Sequence, residues 1–264
     1  MTTPNFKDHF SSGAAGYAAY RPTYPMGLVD GLAGISPGHE LALDCGCGTG
    51  QLSVLLAERF DEVVATDASA AQIGQAQPHE QVRYRTALAE DSGLPDGSVD
   101  LITVAQAAHW LDLEKFYAEV RRVARPNAAV ALISYGVLHV EGAVDCIVQR
   151  FYYETLGPYW PAERRHVEEG YRNVSFPFQE TQLPNLAIEM SWPLEDLVGY
   201  VNTWSAVKVA EKELGSSPIT RFEEELRKEW GDAELRRGVS WPLSLRVGNV
   251  RPTDKANTHP LSRS

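Results

Sequence analysis

Cysteine is scarce in this chain, and long apolar runs are absent from it. Only three of the 264 residues are cysteines, and two of these, Cys45 and Cys47, are separated by a single residue. Such a set cannot build a disulfide framework, which favours a reducing compartment. No stretch approaches the roughly 20 apolar residues that span a bilayer, and the opening MTTPNFKD lacks the pattern of a secretory signal. We expect a cytoplasmic protein with no membrane partner.

Positive charge is also in short supply. The chain carries 24 basic and 35 acidic side chains, which gives a formal net charge of −11 at pH 7. A protein that binds the phosphate backbone of nucleic acids normally displays a basic stripe, so we expect no nucleic-acid partner. Hydrophobic residues make up 44% of the chain, which is enough apolar surface for a folded core. The composition therefore favours a globular protein whose partner is a small molecule, and it leaves the oligomeric state open.

Apolar strands and amphipathic helices alternate between residues 40 and 135. Strands that are apolar along most of their length, separated by helices, indicate an α/β fold with a mostly parallel sheet covered on both faces. The connection 88–97 is short for a crossover helix, so we expect at most a turn or two of helix there. The five predicted strands cover residues 40–45, 63–66, 82–87, 99–105 and 129–135.

The pattern changes after Gly136. Residues 151–178 hold eight aromatic side chains among prolines and arginines, which predicts an inserted, mostly helical lid. Two helices are expected at 194–214 and 220–230, and the alternation at 239–250 predicts a late strand at the edge of the sheet. The predicted organisation is an N-terminal cap segment (1–35), a ligand-binding core (36–136), a region of lid, late helices and edge strand that forms a second pocket (137–250), and a flexible tail (251–264).

A glycine-rich loop at residues 46–50 joins the first predicted strand to the following helix. Glycines at alternate positions let the backbone turn sharply and let a ligand lie against bare main chain. The position of the loop, at the carboxyl end of a parallel sheet, is where open α/β folds bind ligands. Asp67 follows Gly46 by 21 residues, at the end of the second strand, and a carboxylate there can accept both hydroxyls of a ribose. These features predict a site for an adenosine-containing ligand.

The details of the loop discriminate between adenosine ligands. In the dinucleotide fingerprint the third glycine comes one residue later than Gly50 does here. Asp44 stands two residues before the first glycine, where its carboxylate would repel a pyrophosphate but suit a ligand with a nearby ammonium and sulfonium. Two alternatives stay open: a purely structural glycine turn, and a nucleotide-dependent oxidoreductase.

The motifs around this loop resemble those of class I S-adenosylmethionine-dependent methyltransferases of the methyltransferase type 11 group. Within that group, the chain is most similar to the small-molecule branch that includes trans-aconitate methyltransferase. The resemblance implies a Rossmann-like methyltransferase fold and transfer of a methyl group to a small-molecule acceptor, possibly a carboxylate or hydroxyl. The matching stretches are LDCGCGTGQLS (43–53), VVATDAS (63–69), AEDSGLPDGSVDLI (89–102) and AQAAHWLDLEKFYAEVRRVARP (105–126).

The resemblance also implies roles for individual residues toward S-adenosyl-L-methionine. Asp44 and the loop backbone would hold the methionine end of this cofactor, and Asp67 its ribose. Gln106 would line the methionine side, while Tyr17 and Arg21 would close over the cofactor. The full set of implied cofactor-binding residues adds Cys45, Gly46, Gly48 and Gly50 in the loop and Ala68, Ala89 and Glu90 around the adenine.

Two departures from the family pattern are visible. The family usually has Pro-Gly-Gly before the fifth strand, where this chain has Pro126, Asn127 and Ala128. Asparagine tolerates left-handed backbone, so we expect the turn to survive. Leu88 stands where many relatives place a polar residue near the adenine. Neither change involves the methyl group.

His109 is the candidate catalytic residue, because it follows the fourth strand and a neutral imidazole can take a proton from an acceptor. Alternatively, His109 could only shape the pocket and take no part in proton transfer. Arginines of the lid could bind an acidic acceptor through paired N–H donors, although such arginines are more often solvated or ion-paired. No metal is expected, since nothing near the cysteine pair completes a zinc site. A silent cofactor-binding protein remains an alternative. The lid arginines are Arg150, Arg164, Arg165 and Arg172.

Overall fold

A parallel five-stranded sheet forms the centre of the molecule. The computed structural model describes residues 22–251, so the tail predicted at 251–264 lies almost entirely outside the described residues. The strand order is β3-β2-β1-β4-β5, and every neighbouring pair in this part of the sheet is parallel. All five predicted strands are confirmed. They are β1 (Leu41–Cys45), β2 (Glu62–Asp67), β3 (Val82–Thr86), β4 (Val99–Ala105) and β5 (Ala124–Tyr135).

Helices cover both faces of this sheet, as the apolar strands predict. One apolar cluster joins alternate strand residues to the first two helices, and a second cluster joins the intervening residues to the fourth helix. The alternation follows from the pleat, because successive strand side chains point to opposite faces. The helices are α1 (Met26–Ile35), α2 (Gln51–Leu56), the short α3 (Ala70–Ile73) and α4 (Leu113–Val123).

The strand order reverses between β1 and β4. In open α/β sheets such a reversal leaves a crevice at the carboxyl ends of the strands, because the connections on either side leave in opposite directions. The glycine loop follows β1, and residues 106–112 follow β4. Both segments therefore meet at the crevice.

The connection between β3 and β4 contains no helix. Residues 88–97 form turns, with one isolated bridge between Leu88 and Asp91. Ser92 anchors this stretch, since its backbone N–H and its hydroxyl both donate to a carboxylate oxygen of Glu119 on α4, at 2.9 and 2.6 Å. Asn127 adopts a φ of 65°, which confirms the left-handed turn expected before the regular part of β5.

The strand predicted at 239–250 is confirmed as β9 (Arg237–Asn249), but its predicted place at the edge of the sheet is wrong. β9 runs antiparallel to β5 on one side, and three shorter strands pair with β9 as well. The sequence analysis did not anticipate these strands, whose partners are distant in the chain. They are β6 (His139–Val140), β7 (Gln179–Glu180) and β8 (Ala187–Trp192).

Within the region 144–230, the lid predicted at 151–178 as mostly helical consists of short helical segments joined by turns. The helix predicted at 194–214 is two helices. Trp204 has extended backbone angles (φ −63°, ψ 134°) and interrupts the expected helix 194–214. Among the described residues, no helix is long and apolar enough to cross a membrane. The helices here are α5 (Val144–Arg150), which continues as a π-helix at Phe151–Thr155, then α6 (Arg164–Glu168), α7 (Leu194–Asn202), α8 (Ser205–Leu214) and α9 (Ser217–Trp230).

Candidate active site

The glycine loop after β1 adopts backbone angles that residues with a Cβ atom rarely adopt. Gly46, Gly48 and Gly50 all have positive φ values of 64°, 57° and 85°, a region that glycine occupies without steric cost. A Cβ atom on Gly46 would lie 2.6 Å from the Cβ of Ala107, in the segment after β4. The loop therefore packs directly on that segment and presents bare main chain at the crevice.

Asp44 lies beneath this loop and is fully enclosed. Its side chain is 1% exposed, and its carboxylate accepts hydrogen bonds from the hydroxyls of Ser53 (2.6 Å) and Thr103 (2.8 Å). Burial raises the pKa of Asp44 to about 6, although the two hydroxyls oppose that rise. The carboxylate thus links the first turn of α2 to β4, and a cationic ligand at the loop would favour its ionised form.

Asp67, at the end of β2, ties the glycine loop to the start of α3. Its Oδ2 accepts from the backbone N–H of Gly48 at 2.9 Å, and its Oδ1 accepts from the N–H of Ser69 at 2.8 Å. A carboxylate has about four acceptor positions, so two remain for a ligand. Ala68 follows directly and is half-buried.

The predicted adenine side is formed by the start of the β3–β4 connection. Ala89 is 5% exposed, whereas Leu88 beside it is 46% exposed. Glu90 accepts a hydrogen bond from the backbone N–H of Asp112 at 2.8 Å. This bond joins the connection to the N-terminus of α4.

Gln106 follows β4 in a strained conformation. Its φ of 58° is unusual for a residue with a side chain. Two hydrogen bonds hold it: its backbone N–H donates to the carbonyl of Ile133, and its side-chain amide donates to the carbonyl of Tyr135 at 2.9 Å. Strain of this kind concentrates at functional sites. The carboxyl ends of β4 and β5 are joined here.

These residues together fit S-adenosyl-L-methionine. The loop offers bare backbone, and Asp44 and Asp67 place two carboxylates beside it. A sulfonium and an ammonium favour such an anionic surface, whereas a pyrophosphate would be repelled. Cys45 is fully buried, so any contact it makes with a ligand goes through its backbone. Tyr17 and Arg21 lie outside the described residues. Within residues 22–251, no cluster of ligating side chains could hold a metal ion.

His109 lies in the short turn after β4, beside the crevice. Its Nδ1 is 3.0 Å from the hydroxyl of Tyr171, a fully buried residue from the far side of the lid. Burial and, to a lesser extent, the positive charge of Arg164 lower the pKa of His109 to about 4. The imidazole is therefore neutral at physiological pH. The sequence analysis missed Tyr171, whose contact partner is 62 residues away; its only local signal is its place after Gly170.

The four lid arginines differ in their partners. Arg150 pairs with Glu225, and Arg165 pairs with Glu169 at 2.6 Å. Arg172 donates to the backbone carbonyl of Glu169. These three contacts are surface interactions of the kind that the sequence analysis allowed as an alternative. Arg164 is different, because it donates to the hydroxyl of Tyr152 and lies against aromatic rings.

Known proteins with similar sequences and structures are methyltransferases. The methyltransferase domain family matches residues 43–132. A Dictyostelium discoideum protein named as a methyltransferase is 36% identical over 262 residues, which cover 93% of this chain and 98% of the relative. A Saccharomyces cerevisiae protein named as an S-adenosylmethionine-dependent methyltransferase is 31% identical over 131 residues, 46% of this chain and 45% of the relative.

A solved structure extends this similarity to the whole fold. A protein from Anaeromyxobacter dehalogenans described as a type II methyltransferase superposes with a TM-score of 0.85 at 47% identity, covering 88% of this chain and 99% of that one. The Rossmann-like arrangement described above agrees with this similarity. The chain therefore belongs to the class I S-adenosylmethionine-dependent methyltransferase family. The membership favours methyl transfer over the oxidoreductase alternative.

Proposed function

We propose that the protein transfers a methyl group from S-adenosyl-L-methionine to a carboxylate or hydroxyl of a small molecule in the cytoplasm. The observation that carries this proposal is a loop of bare backbone with one carboxylate, Asp44, buried beneath it and another, Asp67, bonded to it. The resemblance of the sequence motifs to the small-molecule branch and the net charge of −11 support a small acceptor. Three free cysteines agree with a reducing compartment.

The cofactor, when bound, supplies an electrophilic methyl carbon, whose bond to sulfur breaks as the acceptor atom bonds to it. Asp44 and the backbone of the loop would bind the methionine end, and Asp67 would accept hydrogen bonds from the ribose hydroxyls. Ala68, Ala89 and Glu90 would surround the adenine, and Gln106 would line the methionine side. Tyr17 and Arg21, outside the described residues, would complete the cover.

Residues 137–250 would form the acceptor side and exclude water. Methyl transfer is an in-line displacement, so the main task of the protein is to position the acceptor. We propose His109 as the catalytic residue that contacts the acceptor. A hydroxyl acceptor would give its proton to the imidazole, whereas an ionised acceptor would receive a hydrogen bond from it.

Incubation of the protein with S-adenosyl-L-methionine labelled in the methyl group and a metabolite extract tests this function. We expect the label in one or a few small products, identified by mass spectrometry, and none in DNA or RNA added to a parallel reaction. Asp67→Ala serves as the control that should abolish labelling. Binding of the cofactor without any labelled product would instead indicate a silent cofactor-binding protein.

A further inference from the structure

Three carboxylates are buried in the described part of the chain, and each lies in a different part of the fold. Asp44 lies beneath the glycine loop, Asp100 near the start of β4, and Glu119 in the middle of α4. A buried carboxylate is costly unless hydrogen bonds and an opposite charge replace the lost water. The proposed function uses Asp44 alone, and Glu119 is the second buried carboxylate whose partners lead back to the cofactor site.

Glu119 is 7% exposed and binds Ser92 and Arg122. Its Oε1 accepts from the backbone N–H of Ser92 at 2.9 Å, from the Ser92 hydroxyl at 2.6 Å and from Arg122 at 2.7 Å. Its Oε2 accepts from the Nε of Arg122 at 2.8 Å. Burial alone would raise the pKa of Glu119, but the bonds from Arg122 and Ser92 hold this pKa below its usual value. Glu119 is therefore ionised at neutral pH, and its bonds to Ser92 are of the strong, charge-assisted kind.

Ser92 directly follows the turn that carries the proposed adenine contacts. The backbone N–H of Asp91 donates to the carbonyl of Leu88 at 3.2 Å, so Ala89 and Glu90 are the two central residues of a four-residue turn. Ser92 is 1% exposed, and both of its donors are bonded to α4. The attachment to α4 therefore fixes the end of this turn.

The turn is also held at its start and through a side chain. The N–H of Ala87 donates to the backbone carbonyl of Asp67 at 3.1 Å, which joins the start of the turn to the residue proposed to bind the ribose. The side chain of Glu90 accepts from the N–H of Asp112 at 2.8 Å. Of these attachments, the one at the end of the turn is formed by two buried side chains, so its loss should loosen the turn most.

We propose that Glu119 is a positioning residue for recognition of the adenine base of the cofactor. Through Ser92, it fixes the turn 88–91 in the shape that selects adenine over other purines. This inference rests on the proposed function, which places the adenine at this turn. Adenine carries an amino group at C6, which donates hydrogen bonds, whereas hypoxanthine carries a carbonyl oxygen there, which accepts them. The carboxylate of Glu90 can bind the first and reject the second only while its position is fixed, because a mobile group can move away from an unfavourable contact.

Calorimetric titration with S-adenosyl-L-homocysteine and S-inosyl-L-homocysteine, which differ only at C6 of the base, tests the proposal. We expect the wild type to bind the adenine compound about 100-fold more tightly or better. In Glu119→Ala, Ser92 loses its acceptor, and this preference should fall by about tenfold. An unchanged preference in Glu119→Ala, or equal binding of the two compounds by the wild type, would overturn the inference and leave methyl transfer intact. Failure of the wild type to bind either compound would overturn the proposed function itself.

Two milder variants give the same readout where Glu119→Ala fails to fold. Ser92→Ala removes the hydroxyl bond but keeps the backbone one, so the preference should fall by a few-fold. Glu119→Gln keeps an oxygen that can accept from Ser92 and should retain most of the preference. A preference that is the same in Ser92→Ala as in the wild type would contradict the proposal.

Asp100→Ala is the matched control, because it removes a buried carboxylate from the opposite end of the sheet. Asp100 is 1% exposed, accepts from the backbone N–H groups of Glu40 and Leu41, and pairs with Arg125 at 3.0 Å. Its loss should destabilise the fold in urea denaturation as the loss of Glu119 does, but it should leave the preference for adenine unchanged. An equal fall of the preference in both variants would show that general stability determines it and would overturn the proposal.

Discussion

The site has two sides that differ in how the chain forms them. The cofactor side is formed by Asp44, the glycine loop and Asp67, and the proposed methyl-acceptor side by His109 and Tyr171. On the cofactor side, Asp44, the glycine loop and Asp67 lie within 24 residues of one another along the chain, and backbone groups and carboxylates define the surface. On the acceptor side, the contacts that matter join distant segments, as when Tyr171 meets His109 across 62 residues.

This contrast separates the proposed sites of the two ligands. A ligand with a sulfonium and an ammonium is favoured beside carboxylates, and these lie on the cofactor side. Variants on either side should therefore affect one ligand and spare the other.

The largest expected effect is on the cofactor side. Asp67→Ala removes two hydrogen bonds to a charged group, each on the order of 1.5–3 kcal/mol, and should raise the Kd for S-adenosyl-L-methionine by about 100-fold or more. Titration calorimetry measures this Kd. Asp61→Ala, which changes an exposed aspartate at the opposite end of β2, is the control and should bind normally. Equal affinity of the two variants would show that Asp67 does not bind the ribose.

A pair of glycine variants sharpens the role of the loop backbone. Gly48→Ala adds a Cβ whose nearest neighbour is 3.9 Å away, so only the positive φ opposes it; we expect a loss of about 1–2 kcal/mol in the free energy of unfolding. Gly46→Ala faces the same penalty and also a contact of 2.6 Å with Ala107, which should cost about 1–3 kcal/mol more. Urea denaturation measures both. Equal losses of stability in the two variants would mean that the chain near Ala107 shifts to accommodate the new Cβ atom at no energetic cost.

His109→Ala tests the acceptor side and should spare the cofactor. Loss of a hydrogen bond to a charged acceptor is on the order of 1.5–3 kcal/mol, so kcat/KM should fall by about 10- to 100-fold while cofactor affinity stays normal. Tyr171→Phe removes the donor to Nδ1 and should have a smaller effect in the same direction. Steady-state kinetics with methyl-labelled S-adenosyl-L-methionine and the acceptor identified from the extract measures both changes. Unchanged turnover in His109→Ala would show that His109 only packs against its neighbours and does not take part in the reaction.

The smallest expected effect is a pH dependence that belongs to the cofactor side. The pKa of Asp44 is raised from 3.8 to about 6, chiefly by burial, so its negative charge is lost as the pH falls below about 6. Affinity for the cationic cofactor should therefore decrease by a few-fold between pH 7 and pH 5. Calorimetric titrations across this range should show the decrease in the wild type and a flat profile in Asp44→Asn.

Ionisation of Asp44 has the opposite effect on the stability of the protein without cofactor. Because its folded pKa exceeds its unfolded value, its contribution to stability is fully present below about pH 4 and is lost as the pH rises through about 6. The pKa of His109 is lowered to about 4, so its stabilising effect disappears as the pH falls through the window between about 6.5 and 4. A pH-independent cofactor affinity in the wild type would contradict the role of Asp44.

The cofactor side could be predicted from the sequence because short spacings determine it. Local patterns in the sequence predict three features: the strand before the loop, the glycines at positive φ, and Asp67 at the end of β2. The acceptor side could not, since nothing local pairs Tyr171 with His109 or separates Arg164 from the paired Arg165. The break at Trp204 was missed because the apolar periodicity continues across it. β8 was missed because its partner, β9, lies about 50 residues further on.

β9 has a consequence for how the chain reaches this structure. It covers the edge of β5 and also pairs with β6, β7 and β8, although it follows β5 by about 100 residues in the chain. Until residues 237–249 have left the ribosome, the edge of β5 is a template for pairing with other chains. Chains that stop between β5 and β9 should therefore aggregate readily.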